Sequence, residues 1–174
     1  MGTALFFMEI QIRKASPADI PSIIELMREF AEFENVSEFF EITDDRLSAA
    51  MFGDEAFIEG LIAFQGEKAV AYALFYPHFA SFRGQRGYYL EDIYIVESGR
   101  RKGIGEAMLR EIARLGRARG FERIDFQVLD WNGPAIRFYE KLGADRDDDE
   151  RHFKFTDEAF KVLASGDNES GPQV

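Results

Sequence analysis

Polar and apolar residues alternate over 9–13, the period-2 signature of a strand with one covered face. Ser16-Pro17-Ala18-Asp19-Ile20-Pro21 then supplies a cap and a proline start for a helix predicted over 21–34. Its apolar stripe is Ile23, Ile24, Met27, Phe30 and Ala31, and the acids Glu25, Glu29, Glu32 and Glu34 ride on the other, solvated side. Thr43-Asp44-Asp45 caps a short second helix over 46–52 that ends at Gly53. Strands are expected at 56–65 and 68–76, joined through a Gly66-Glu67 hairpin turn. Residues 77–87, which include His78-Phe79-Ala80-Ser81-Phe82-Arg83-Gly84, read as an aromatic linker with a small satellite cluster beneath it.

The next strand, 88–96, is a run of aromatic and β-branched residues interrupted only by Glu91 and Asp92. Regular pleating sends neighbours to opposite faces, so one of these two acids is expected to face a core or cleft. After the loop Glu97-Ser98-Gly99-Arg100-Arg101-Lys102-Gly103-Ile104-Gly105 comes a helix with Ile104, Met108, Ile112 and Leu115 on one stripe. Glycines at 103 and 105 remove the Cβ atoms that would keep a ligand off the backbone N–H groups, and the helix start aims its orphan donors at the same point. With Arg100, Arg101 and Lys102 at the rim, the loop suits a polyanion such as a pyrophosphate. A dinucleotide fingerprint would need glycine where Met108 stands, and a P-loop would need Gly-Lys-Ser/Thr, so neither is made.

Gly120 breaks the helix, and a strand is expected over 123–129, with Ile124, Phe126 and Val128 on one face. Asp130-Trp131-Asn132-Gly133-Pro134 leads into a helix carrying Ala135, Ile136, Phe138, Tyr139 and Leu142, stopped by Gly143. Residues 145–150 read as an acidic hairpin or loop, 151–155 as a last strand and 165–174 as a disordered tail. A hairpin-rich first half and a βαβα second half give an α/β protein with a mixed sheet.

Composition narrows the chemistry. At 174 residues, 46% of them hydrophobic and 18 of them Phe, the chain suits one well-packed domain, taken as 1–164. No window reaches the ~18 to 20 uninterrupted apolar residues of a membrane span. The start MGTALFFM lacks a charged beginning and the apolar length of a signal peptide, so a cytoplasmic protein with no membrane partner is expected. Zero Cys removes disulfides, thiolate metal sites and acyl-cysteine intermediates, and His78 and His152 alone cannot build a multi-histidine zinc site. No metal is therefore expected, and a catalytic base should be a carboxylate or a tyrosine. The net charge of -11 argues against nucleic acid and for a cationic small-molecule partner, which makes the three cations at 100–102 conspicuous.

Arg100-x-x-Gly103-x-Gly105 resembles the acetyl-CoA pyrophosphate loop of the GNAT superfamily of N-acetyltransferases. Leu90-Glu91-Asp92 before it, and Trp131-Asn132-x-Pro134 and Phe138-Tyr139 after it, are similar to the diamine (spermidine/spermine) branch, over nearly the whole folded chain. The resemblance implies the GNAT (acyl-CoA N-acyltransferase) fold: a mixed, mostly antiparallel sheet with splayed central strands flanked by helices. It also implies acetyl-CoA as co-substrate, held by Ile93, Tyr94, Ile95, Arg100, Arg101, Lys102, Gly103, Ile104, Gly105, Glu106, Asn132, Pro134, Ala135 and Tyr139. The implied activity is N-acetylation of a small cationic amine in a homodimer. The family's amine-recognising Tyr-Glu pair aligns with Phe33-Glu34, so the acid persists and the hydroxyl is lost. The loop after Gly143-Ala144 is also shorter than in diamine acetyltransferases, which makes a lysine-like or thialysine-like amine as admissible as a polyamine.

Acetyl transfer to an amine needs a neutral nucleophile, a polarised carbonyl and a proton for the leaving thiolate. A primary alkylamine with pKa ~10 is less than about one per cent neutral at pH 7, so a base is required. Glu91 is the candidate base, Asp92 its rival, and Tyr139 the candidate acid, with Phe33, Glu34, Glu91 and Asp92 expected on the substrate side. With no cysteine and no evident activated serine, direct attack in a ternary complex is expected. The alternative is a non-catalytic acyl-CoA-binding module. Retention of both Glu91 and Tyr139 favours the enzyme.

Overall fold

The computed structural model describes residues 9–149 and 151–166. They fall into two compact units, divided in sequence between Gln127 and Val128. The first unit carries β1 (Ile10–Lys14), α1 (Ile20–Phe33), α2 (Asp44–Phe52), β2 (Glu59–Gln65), β3 (Lys68–Ala80), β4 (Gln85–Ile95), α3 (Ile104–Ala118) and β5 (Arg123–Asp125). These strands form one sheet in the order β1-β2-β3-β4-β5, antiparallel as far as β4. β4 and β5 run parallel with α3 as the crossover between them. The second unit contributes α4 (Gly133–Lys141) and α5 (Asp157–Ser165).

The core of the first unit lies on both faces of this sheet. Phe30 of α1 stacks on Tyr94 with ring centroids 5.3 Å apart. On the opposite face Gly116 of α3 lies so close to Tyr88 that an added Cβ would stand 3.2 Å from Cδ2. Ile23 and Ile24 of α1, Leu61 and Ile62 of β2, and Met108 and Ile112 of α3 are all sealed from solvent. Each contributes about 1.5–3 kcal/mol of transfer free energy. Asp19 ties the entrance of α1 to β1 by accepting two 2.7 Å hydrogen bonds from Arg13. The same guanidinium holds its carboxyl well below the usual range.

Three expectations are corrected. Residues 77–87 are not a linker, because β3 and β4 stay paired from Pro77↔Tyr88 to Ala80↔Gln85. Pro77 is tolerated there because β3 has no β2 partner beyond Phe75, which makes it an edge on the side where an N–H would be missed. β5 ends at Asp125 rather than at 129. Residues 151–155 alternate in sequence yet are all exposed, so the pattern buries nothing and no strand forms. α5, not anticipated, follows, and Ser165 closes it; of the expected tail, residues 167–174 lie outside the described ones.

Candidate active site

The site is set by an irregularity in β4. Leu74 pairs with Asp92 but Phe75 pairs with Leu90, so Glu91 is an extra residue with no partner on β3. A bulge of this kind cancels the alternation of the pleat. Instead of pointing to opposite faces, both acids meet tyrosines that share one face of β3, four residues apart. Asp92 Oδ2 accepts from the Tyr72 hydroxyl at 3.2 Å, and Glu91 Oε2 accepts from the Tyr76 hydroxyl at 3.3 Å. The partial burial anticipated for Glu91 belongs to Asp92, whereas Glu91 is exposed.

Asp92 forms the floor of a cleft of about 220 Å³ between the sheet and the end of α1. Its walls include Phe30, Glu34, Phe39, Phe40 and Tyr72. Burial first, then the charges of Glu91 and Glu34, push the Asp92 carboxyl up to about 6, while the Tyr72 hydrogen bond acts in the opposite sense. Glu34, the residue that caps α1, is itself shifted upward by burial. Asn35 takes a left-handed conformation at φ 59, and this turn brings Val36, Phe39 and Phe40 round to close the wall. Of the expected substrate residues, Glu34 and Asp92 come together here. Phe33 does not line this cleft but lies under Arg100, whose guanidinium is 4.8 Å from its ring centroid. Tyr72, Phe30, Phe39 and Phe40 were not anticipated. The aromatic pair Phe39-Phe40 in a segment between two helices was the available signal.

The basic loop leads into α3 as expected. Gly103 caps the helix at φ 78 with open space where a Cβ would be, and Arg101 also has positive φ, at 61. The N–H groups of Ile104, Gly105 and Glu106 open the helix, where no intrahelical acceptor exists, and the first bond back to Gly103 comes from Ala107. Arg101 and Lys102 are exposed beside them. Arg100 is engaged: Nε donates to the Ile95 carbonyl at 3.1 Å, and the guanidinium lies over Phe33 and, at 5.7 Å, over Tyr94.

Pairing of β4 with β5 covers only Gly87, Tyr88 and Tyr89, opposite Arg123, Ile124 and Asp125. From Leu90 onward, β4 runs to Ile95 without a partner on that side among the described residues. This is the splay that the fold implies, and the edge it exposes includes Ile93, Tyr94 and Ile95.

In the second unit Asn132 caps α4, its side chain accepting from Ala135 N at 3.3 Å, with Pro134 in the first turn. Tyr139 lies edge-on to Phe138 at 5.2 Å, and burial pushes its phenol up to about 12. The hydroxyl therefore stays protonated at every physiological pH.

The sequence matches the model of the acetyltransferase (GNAT) family over residues 20–144, a span that runs through both units. A thialysine N-epsilon-acetyltransferase of Mus musculus is 35% identical over 165 residues, covering 88% of this chain and 96% of that protein. A human spermidine/spermine N(1)-acetyltransferase-like protein is 32% identical over 141 residues, 77% of this chain and 20% of that protein. Among solved structures, an aminoglycoside acetyltransferase from a soil metagenome superimposes with a TM-score of 0.72 at 19% identity, over 86% of this chain and 97% of that one. This last likeness speaks to the fold alone. By the family match, the long alignment to the mouse enzyme and the splayed sheet, the chain belongs to the GNAT family of acetyltransferases and is an N-acetyltransferase.

Proposed function

We propose that the chain moves an acetyl group from acetyl-CoA to the primary amine of a small cationic substrate received in the Asp92 cleft. The observation that carries this reading is a carboxylate with a raised pKa on the floor of a cleft walled by Glu34 and aromatic rings. Carboxylates attract an ammonium group, ring faces favour it, and a base titrating near 6 is ionised at neutral pH yet basic enough to take a proton.

The residues present suit acetyl-CoA. Gly103 leaves open space beside the α3 N-terminus, where backbone donors and the helix dipole favour a pyrophosphate, and Arg101 and Lys102 add positive charge. Backbone groups of Ile93, Tyr94 and Ile95 on the open edge of β4 are assigned to the pantetheine amides, with Ile104, Gly105 and Glu106 supplying the phosphate donors. The Arg100 side chain, engaged with Phe33 and Tyr94, acts by holding the loop in place. Asn132, Pro134 and Ala135 shape the turn that presents Tyr139. When bound, acetyl-CoA supplies an activated thioester carbonyl.

Asp92 accepts a proton from the substrate ammonium and so exposes the amine lone pair for direct attack in a ternary complex. Tyr139, kept protonated, holds the proton that the leaving group needs. Glu91, which precedes Asp92 on β4 and accepts from Tyr76, lies outside the cleft lining, and its charge raises the basicity of Asp92. The mouse and human relatives are both named for amine acetylation, which supports this substrate class, and a non-catalytic module is not favoured.

The test is CoA release with a panel comprising thialysine, lysine, ornithine, spermidine and tyramine, and neutral hydroxyl analogues as controls. The expected result is turnover of at least one cationic primary amine and none of the hydroxyl compounds. Absence of turnover for every amine would contradict the proposal.

A further inference from the structure

Tyr72 stands in the middle of β3 with none of its surface exposed. Its ring packs within the core cluster, a task that phenylalanine would perform equally well. The hydroxyl is therefore what distinguishes the residue, and it donates to Asp92 Oδ2 at 3.2 Å, the carboxylate on the floor of the cleft. A buried hydroxyl needs one good partner, and here that partner is a group the proposed reaction uses.

The surroundings of Asp92 make this bond consequential. Glu91 precedes it on β4, Glu34 approaches from the end of α1, and Glu41 lines the same cleft from the segment after Phe40. Tyr94, opposite Tyr72 in the strand register, directs its hydroxyl to Glu29 at 3.3 Å instead. Arg100 faces Phe33 and Tyr94. Among the described residues, the hydrogen bond that favours the ionised form of Asp92 comes from Tyr72. Burial and the Asp92 charge beside it raise the Tyr72 phenol well above its ordinary value, so it stays a donor throughout the working pH range.

We infer that Tyr72 is a positioning residue for the acetyl transfer: its hydroxyl fixes the Asp92 carboxylate through Oδ2, presents Oδ1 to the amine, and keeps that carboxylate ionised. This rests on the reading of Asp92 as base. In the step it serves, the N–H bond of the substrate ammonium breaks, its proton passes to Asp92 Oδ1, and the electron pair remains on nitrogen. The Tyr72 O–H bond stays intact.

The experiment compares the pH profiles of kcat/KM for wild type, Tyr72→Phe and Asp92→Asn, with thialysine as the amine or, failing its turnover, spermidine. A companion measurement follows the carbon-13 titration of the aspartate carboxyls in wild type and Tyr72→Phe, and needs no substrate. Loss of a donor to the charged form raises the acid's pKa, so Tyr72→Phe should move the acidic limb upward by about one pH unit. At pH 6 the rate should fall roughly fivefold, approaching tenfold near pH 5, and above pH 8 it should return to near wild type. The carbon-13 titration of Asp92 should move by the same amount. An unmoved limb, a loss uniform across pH, an unshifted Asp92 signal, or a Tyr72→Phe chain that fails to fold would each overturn the inference. Wild-type activity in Asp92→Asn would instead overturn the reading of Asp92 as base, so the two failures are distinguishable.

Discussion

At Glu91 a single extra residue decides which acid does what. A regular strand would have placed Glu91 and Asp92 on opposite faces, and the bulge instead lines them up against Tyr76 and Tyr72. Placing a carboxylate where burial and two like charges oppose its ionisation costs stability. The folded pKa of about 6 lies above the ~3.9 of an unfolded aspartate. Below pH ~4 the group is protonated in both states and nothing is lost, whereas stability falls as pH rises through the folded value. Asp92→Asn should therefore stabilise the fold at pH 8 by about 1–2 kcal/mol, after allowance for the solvent that reaches this half-buried group, with the gain vanishing near pH 4. Urea unfolding at the two pH values checks this. A destabilised variant at pH 8 would show that the ionised carboxylate is held by favourable interactions instead.

Among the elements, the strand-loop-helix run from β4 to α3 was legible because each part carried its own local signal: an aromatic strand, a glycine-rich break, then a 3.6-period stripe that runs to Leu115 before Gly120 breaks the helix. The same run exposed Gly103 and Gly105 as the residues where backbone must stay accessible. Gly105 is the better probe, because it lies inside the first turn of α3, while Gly103 requires its left-handed φ of 78 for the fold itself. Gly105→Val should weaken acetyl-CoA binding by at least about tenfold in calorimetry with little change in melting temperature, since valine is not a poorer helix former than glycine. An unchanged dissociation constant would refute the loop assignment. The cleft was less legible. Its wall joins Phe30 and Glu34 to Tyr72 and Asp92 through tertiary packing, and nothing local in 68–76 marks Tyr72 among its apolar neighbours. The bulge was invisible for a similar reason: it is a property of the β3–β4 register rather than of the β4 sequence. Residues 151–155 failed in the other direction, where a strand-like alternation found no sheet to join.

For the molecule as a whole, the charge of -11 is the background against which a cationic substrate arrives and a basic loop stands out. Among the described residues no helix is long and apolar enough to cross a membrane. We propose a homodimer, supported by exposed aromatics such as Phe79 and Phe82 on the β3–β4 hairpin; light scattering should give twice the chain mass of 19.9 kDa at micromolar concentration, and a monomer would refute it. The central claim, that Asp92 is the base of an acetyl-CoA-dependent amine acetyltransferase, is tested most directly by initial rates of CoA release for wild type and Asp92→Asn from pH 6 to pH 10, with Glu91→Gln as control. The account predicts intersecting double-reciprocal plots and a loss of ~10² to 10⁴-fold in kcat/KM for Asp92→Asn at pH 7. That loss should shrink as pH approaches the pKa of the amine, while Glu91→Gln loses less. Wild-type rates from Asp92→Asn at pH 7, with the pH-dependent loss appearing in Glu91→Gln, would contradict it.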